Sequence, residues 1–491
     1  MPWKNRKKVF HTVEKPSTTP PAGMDFVTPE QAAAWCRGAW HPAPPPAALR
    51  RVVIDSRQAG PGALFFALPG ARADGHDFLP AAAAAGAAAV VRADFPAEKL
   101  PAAGCFLRVD DVPAALGRFA AGYRGTLSTR IVGITGSVGK TSTKELVADL
   151  LATVGQTART AGNFNNEIGL PLSVAGIGRD CAFAVIEAGI SHPGEMAPLR
   201  GILRPDIAVV TPVGPVHIEF FESVRAIAAE KAALLEQLPA DGFAVLDRGE
   251  EFFDVLRARS SAPVVTCSLR RREADYAGDV QADGRLWVCE RATGETAVLP
   301  VPPPAGFMAE NVLKAVAVAR RCGAAWPALA AALGGAKSVG MRWAVEPVRG
   351  WTAINDGYNA NPVSLRAALQ AFADWPVPGR RFLALGPMLE LGRLEQEAHE
   401  ALGRFAAAGA WAGVALVPWK LLAGTPDPAA QALAAGLRAG GWPEENLCAA
   451  ADAAGAAAWL RERLRPGDAL LLKASRGVRI ENVLENLKKE S

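Results

Sequence analysis

The stretch Ile131–Glu145, IVGITGSVGKTSTKE, limits what this chain can be more than any other. β-Branched Ile131 and Val132 lead into a glycine-rich turn, and Lys140 and Thr141 follow where a helix can begin. A Walker A loop asks for glycine, four residues, then glycine, lysine and a hydroxyl residue. Ile134 stands at the first-glycine position, while Gly133, Gly136 and Gly139 leave the loop free to bend around an anion. The backbone N–H groups of Gly136, Ser137, Val138 and Gly139, with a helix N-terminus behind them, would surround phosphates. Lys140 would add a point charge, and the Thr141 hydroxyl is available to Mg²⁺. The bland alternative is a glycine-rich turn with an incidental lysine; strand, loop, Lys-Thr and helix former in this order favour the anion site. Such a loop does not separate a kinase from a ligase, a GTPase or a motor.

A chain of 491 residues exceeds one ordinary core, and about two to four domains are expected. Half of the residues are hydrophobic, enough for substantial cores, and 21% charge excludes wholesale disorder. A net charge of +4 with no long basic block beyond the N-terminus gives no case for a nucleic-acid partner. The cysteines (Cys36, Cys105, Cys181, Cys267, Cys289, Cys322, Cys448) are scattered, with no C-x-x-C spacing. That pattern fits a reducing compartment and argues against structural zinc. No apolar run reaches membrane-spanning length; the strongest, Ala81–Val91, ends at Arg92. Residues 1–23 are basic and proline-containing without an apolar core, so they read as a loose tail or as an extension ahead of a start at Met24. A cytoplasmic enzyme, without stable membrane insertion, is the expectation.

Along the chain, Thr28-Pro29-Glu30 reads as a helix start. Strands at Arg51–Ile54 and Gly62–Leu68 and a helix from Leu79 to Ala88 feeding Ala89–Val91 suggest a small α/β unit ending near Arg124–Ser128. Asp55, Ser56 and Arg57 follow a buried strand, where a surface salt bridge and a ligand contact are equally reasonable. After the phosphate loop comes a helix over Thr143–Val154, then an asparagine-rich loop, Thr160–Pro171, whose amides call for solvent or a polar substrate. Strands Phe183–Ile186 and Ala208–Val210 deliver Glu187 and, in the following turn, His217 to the crevice where open α/β sheets bind ligands. Either alone reads as a cap or a loop residue. Together with Thr141, Glu187 can offer Mg²⁺ a hard oxygen, whereas histidine is an unusual Mg²⁺ ligand. Ala226–Leu238 reads as an amphipathic helix with Lys231 exposed. Short strands occupy 243–301, and helices cover Met308–Arg320 and Trp326–Leu333. Beyond a glycine-containing boundary at Gly334–Gly340, strand and helix alternate in a Rossmann-like pattern without a dinucleotide fingerprint.

These pieces come together in a known family. The chain resembles the ATP-dependent Mur ligases, which build the peptide stem of peptidoglycan, from about Met24 to Leu487. The motifs carrying the resemblance are DSR at Asp55, DGHDF at Asp74, GITGSVGKTSTK, GNFNNEIGLP, HIEFF at His217, NDGYNANP at Asn355, LELG at Leu389 and KASRGVRIE at Lys473. The YNANP segment is typical of the branch that adds D-alanyl-D-alanine rather than a single amino acid.

The resemblance implies three α/β domains: a UDP-substrate domain over 24–128, a central P-loop ATP domain over 129–335 and a C-terminal Rossmann-like domain over 336–491. It implies ATP-dependent joining of D-Ala-D-Ala to UDP-MurNAc-tripeptide by a monomer through an acyl phosphate. A relative adding diaminopimelate or lysine to the dipeptide stem is the alternative, with a non-ligating ATPase scaffold behind it. Lys140 would meet the β- and γ-phosphates, and Thr141, Glu187 and His217 would serve Mg²⁺. Lys231 sits where the family has a carbamylated lysine that supplies an anionic oxygen to a second ion, which reverses the exposed reading. Asn311 resembles the adenine contact, with Glu310 where histidine is common. Arg342 and Asp356 resemble residues that reach ATP on domain closure, and Tyr358, Asn359 and Asn361 belong to the same signature. Ser56 and Arg57 resemble UDP-sugar contacts; Thr160, Asn163, Asn165 and Asn166 resemble active-site contacts. Lys473, Ser475 and Arg476 fall near the incoming dipeptide. Two departures stand out: Pro387 replaces the family's aspartate before Met388-Leu389-Glu390, and Ala-Gly-Ile follows Glu187 where Leu-Gly-Ala is commoner.

Overall fold

The computed structural model describes residues 26–70, 73–336, 340–419 and 427–489, so the basic tail and the alternative start at Met24 lie outside the described residues. The chain builds three α/β units, each on its own sheet. In the first, Ala39–His41 pairs antiparallel with Phe106–Val109, and the strands Ala88–Arg92, Ala63–Phe66 and Arg51–Val53 continue in parallel. Its opening helix, Pro29–Cys36, starts as expected: Thr28 accepts the Gln31 N–H and Gln31 returns the bond, a capping box with proline in the first turn. The alanine-rich helix is shorter than its composition suggests. It ends at Ala84, because Gly86 takes φ +82° and the chain enters the next strand at Ala88.

The central sheet runs Glu295–Leu299, Leu286–Glu290, Tyr276–Val280, Val264–Ser268, Phe243–Asp247, Ile207–Val210, Arg130–Thr135, Phe183–Glu187, Thr157–Arg159. The phosphate-loop strand Arg130–Thr135 lies between Phe183–Glu187 and Ile207–Val210, parallel to both. Strand order reverses there, so the loops at those strand ends open one crevice. The strands are apolar between their ends, as parallel strands covered on both faces must be, and the helices Lys140–Leu151 and Ala305–Arg321 pack over them. Two strands of the hairpin extension, Tyr276–Val280 and Glu295–Leu299, fall within the strand-rich stretch 243–301; both have exposed polar residues that break the apolar pattern.

In the third unit Ala344–Val348 pairs antiparallel with Trp351–Asn355, followed in parallel by Ala469–Lys473, Arg381–Leu385, Gly413–Leu416 and Leu447–Ala449. Asn361 caps the helix Pro362–Asp374 in a second capping box, with Ser364. No helix among the described residues is long and apolar enough to cross a membrane.

Candidate active site

At Gly136, where φ is +146°, a Cβ would stand 1.8 Å from Thr211 Oγ1, so only glycine lets the loop leave the strand at that point. The Ser137 and Val138 amides donate to Pro212 O at 2.9 and 3.2 Å, and Ser137 Oγ donates to Gly214 O at 3.0 Å. These bonds tie the loop to the end of the strand Ile207–Val210. Gly139, at φ +84°, leads into the helix Lys140–Leu151. Lys140 Nζ donates back to Gly136 O at 2.9 Å. Burial pulls the Lys140 ammonium below its ordinary pKa, against the opposing charge of Glu187 and with help from Arg342 of the C-terminal unit.

Glu187, 1% exposed, ends the neighbouring strand. Its Oε2 accepts from Thr141 Oγ1 at 2.6 Å, its Oε1 from Asn165 Nδ2 at 2.7 Å, and its own N–H donates to Thr160 Oγ1 at 3.1 Å. The asparagine loop is therefore less dependent on solvent or substrate than its composition suggests. Asn166 Oδ1 accepts the Gly169 N–H at 2.9 Å, which starts the helix Gly169–Ala175; Asn163 and Asn166 are exposed, and Asn165 is half-buried.

Lys231 corrects the amphipathic reading. The helix stops at Ala232 and passes into a buried 3₁₀ turn, Ala233–Leu235, and Lys231 is only 3% exposed. Burial, then the charge of Lys140, pushes its ammonium well below the ordinary value, with Glu230 and Glu187 opposing. His217 adopts φ +58°, and its Nδ1 meets the Glu390 carboxyl of the C-terminal unit, itself at φ +64°. No cluster of three or more His, Cys, Asp or Glu able to hold a metal ion occurs among the described residues. The structure thus joins Thr141, Asn165 and Glu187 directly, sets Lys231 within the field of Lys140, and pairs His217 across to the third unit.

A cleft of about 1000 Å³ runs from Val138 and Gly139 past Phe307 and Asn311 to Trp375 at the end of the helix Pro362–Asp374. Asn311 is buried and accepts from Thr143 Oγ1 at 3.1 Å. Across the cleft the C-terminal signature is knit together. Asp356 takes Lys473 Nζ at 2.5 Å and the Trp343 N–H at 3.2 Å; Lys473 also donates to Asn359 O at 3.1 Å. The Arg342 guanidinium lies 3.9 Å from the centre of the Tyr358 ring. Ser475 Oγ donates to Ala360 O and accepts the Leu389 N–H, while Pro387 O accepts the Ser475 N–H at 3.1 Å. Arg476 pairs with Glu481 at 2.6 Å. In the first unit Arg57 grips Asp55 through Nε at 2.9 Å and Nη2 at 2.5 Å, holding the Asp55 carboxyl below the usual carboxylate range. Both are the salt bridge of the plain reading, yet the Arg57 side chain stays 77% exposed, and Ser56 opens the turn beside it. Sequence reading gave no role to Lys144, Phe307 or Glu390; Lys144 carried a signal one helical turn after Lys140, and Glu390 carried one in its LELG motif.

Three family models match the chain: Mur ligase middle domain over residues 134–319, the Mur ligase glutamate ligase domain over 341–476, and the catalytic domain of the Mur ligase family over 49–124. The UDP-N-acetylmuramoyl-tripeptide–D-alanyl-D-alanine ligase of Mycobacterium bovis is 36% identical, covering 90% of this chain and 94% of that protein. A crystal structure of MurF from Acinetobacter baumannii superposes with a TM-score of 0.83 at 25% identity, covering 96% of this chain and all of the other. The MurF ligase of Thermotoga maritima in complex with ADP gives a TM-score of 0.75 at 28% identity, covering 90% of this chain and 97% of the other.

Proposed function

The chain belongs to the Mur ligase family, and we propose that it joins D-alanyl-D-alanine to UDP-N-acetylmuramoyl-tripeptide, giving the pentapeptide nucleotide, ADP and phosphate. The observation that carries the reading is near end-to-end similarity to ligases of that name. The phosphate loop and the buried strand-end carboxylate joined by the 2.6 Å bond between Thr141 and Glu187 agree with it.

The stem's free carboxylate is a poor electrophile, since its leaving group would be oxide. A carboxylate oxygen attacks the γ-phosphorus of ATP, the bond to the β-phosphate oxygen breaks, and ADP leaves. The amine of D-Ala-D-Ala then attacks the acyl carbon, the C–O bond breaks, and phosphate leaves as the amine gives up a proton. Negative charge concentrates on the phosphoryl oxygens in the first step, and Lys140 is placed to offset it. In this reading the loop amides and Asn311 orient the nucleotide.

The residues present fit Mg²⁺. A hydroxyl and a carboxylate beside a phosphate loop are the hard oxygens it takes, with nucleotide oxygens completing the set. Thr141 and Glu187 would hold it, with His217, on the family resemblance, as a further candidate; when bound, Mg²⁺ neutralises phosphate charge as a Lewis acid. Lys231 suits carbamylation, because a neutral amine is the form that adds CO₂ and burial favours that form.

Water would hydrolyse the acyl phosphate, so the C-terminal unit closes over the site, with Arg342, Asp356 and the Lys473–Arg476 turn facing the substrates. Ser56, Arg57 and the first unit hold the UDP end. The protein acts as a cytoplasmic monomer on small molecules. Incubation with ATP, Mg²⁺, UDP-tripeptide and D-Ala-D-Ala, followed by mass analysis, should show the pentapeptide nucleotide. Product only from UDP-dipeptide and one amino acid would overturn the choice of acceptor, and ATP hydrolysis indifferent to both would overturn ligation.

A further inference from the structure

Lys144 is fully buried, and its ammonium has three partners: Thr160 O at 2.7 Å, Gly162 O at 3.3 Å and Glu145 Oε1 at 2.7 Å. Glu145 is held in turn by Arg159 at 2.8 Å, the residue just before Thr160. The anchored segment opens the loop that brackets Glu187. At one end Thr160 Oγ1 accepts the Glu187 N–H; further on, Asn165 Nδ2 holds Glu187 Oε1, and Asn165 O takes the Gly189 N–H at 2.8 Å. The remaining Glu187 oxygen meets Thr141, which lies on the same helix as Lys144.

We propose that Lys144 is a positioning residue that fixes Glu187 against Thr141 by pinning the start of the Thr160–Asn166 loop to the phosphate-loop helix. It touches neither substrate nor nucleotide. A buried ammonium fits this task because it can satisfy two carbonyls and a carboxylate at once, which no neutral side chain of its length can do. Without it the two carbonyls would be left unpaired and the loop would relax away from the strand end. The inference rests on the reading of Glu187 as an active-site carboxylate.

The test compares full-length wild type with Lys144→Met, Asn165→Ala and the double variant. Hydrogen exchange in the nucleotide-free protein should speed up across 160–168 in Lys144→Met and stay unchanged in the helix Ala305–Arg321. ADP affinity measured without metal should stay within about threefold, while kcat falls by about 100-fold. Half-saturating Mg²⁺ should rise, which a merely structural role would not cause. Because Lys144 acts through Asn165, the double variant should be no more than about threefold slower than the slower single variant. Multiplying losses, or unchanged exchange in the loop, would overturn the proposal. Lys144→Gln, which keeps one carbonyl bond, should fall between wild type and Lys144→Met. Failure of both variants to fold would assign Lys144 to the core and also overturn it. If the wild type makes no pentapeptide, the reading of the reaction falls, while the exchange and ADP measurements still decide this inference.

Discussion

Thr141 Oγ1 stands 2.6 Å from Glu187 Oε2, so the hydroxyl at the start of one helix and the carboxylate at the end of the adjacent strand are joined directly. Sheet register makes this possible: Ile134 lies opposite Glu187, which brings the phosphate loop and the carboxylate to the same sheet edge. Glu187→Ala should lower kcat by about 100-fold or more, because the Mg²⁺ that Glu187 would hold to neutralise the phosphoryl oxygens loses a ligand. Metal-free ADP binding should change little. Steady-state turnover across a Mg²⁺ titration, with calorimetry for ADP, checks both, and turnover within twofold of wild type would remove Glu187 from the site.

Lys140 answers a different demand. Its 2.9 Å bond to Gly136 O shows that it can reach across its own loop, and phosphate oxygens offer it a stronger partner. Lys140→Ala should reduce turnover by about 1000-fold or more. The variant should keep its melting temperature, since the bond it loses joins an ammonium to a carbonyl within a loop. Calorimetric melting and the product assay on the same sample separate loss of chemistry from loss of fold.

Gly136→Ala should harm the fold as well as the reaction. The new methyl would stand 1.8 Å from Thr211 Oγ1 at a φ of +146°, so either the loop or the turn after Val210 must move. A cost of about 2–3 kcal/mol in unfolding free energy is expected, read by denaturant titration, together with loss of ADP binding. Gly162→Ala provides the control: φ is +53° but nothing lies within 4 Å of its Cβ, so only conformational strain remains.

Much of this was legible in the residues. Three α/β units, the phosphate loop on a strand–helix turn and Glu187 at a strand end all follow from apolar runs bounded by glycine and polar turns. Lys231 was not legible from periodicity. Its position in the Val224–Ala232 helix matches an exposed stripe, and it is buried on the side that faces Lys140 and Glu187 of other elements. The asparagine loop misled for a related reason. Sequence shows three amides seeking partners, but not that a carboxylate 22 residues later and a helix start three residues later satisfy two of them. The pairing of His217 with Glu390 joins separate units and leaves no periodic trace.

Lys231 gives a stability signature with a definite sign. Its ammonium titrates well below its ordinary value of 10.5, because burial, and next the Lys140 charge, disfavour the charged form. Below that depressed value the folded protein bears the cost of a buried charge. Between it and 10.5 the unfolded chain binds more protons than the folded one, so stability rises with pH through this window. Lys231→Met should remove that slope, being relatively more stable at the acidic end and converging with wild type towards pH 10.5, as melting curves in CO₂-free buffer would show. In the product assay Lys231→Ala should be inactive and partly rescued by formate or acetate, which replace the carbamate oxygens. Absence of rescue would leave the lysine with a purely electrostatic role.

The C-terminal unit meets the central unit through a close approach with little tolerance. Gly392, at φ +50°, would carry a Cβ 2.7 Å from Glu219 Cβ, and Arg393 donates to Glu222 O at 3.0 Å beside the His217–Glu390 pair. On the far side of the same interface, a Cβ at Gly214 would lie 3.0 Å from Val363. The two units therefore meet closely at both glycines, and a side chain at Gly392 is a wedge. Gly392→Val should hold the units apart without altering the phosphate loop. Small-angle scattering with an ATP analogue and UDP-tripeptide should show compaction in wild type and a larger radius of gyration in the variant. Turnover should fall by about tenfold as water gains access to the acyl phosphate, and ATP hydrolysis uncoupled from product should rise. Equal dimensions in all states of the wild type would instead mean that the units meet in the same way with and without ligands, and that water is excluded by the substrates alone.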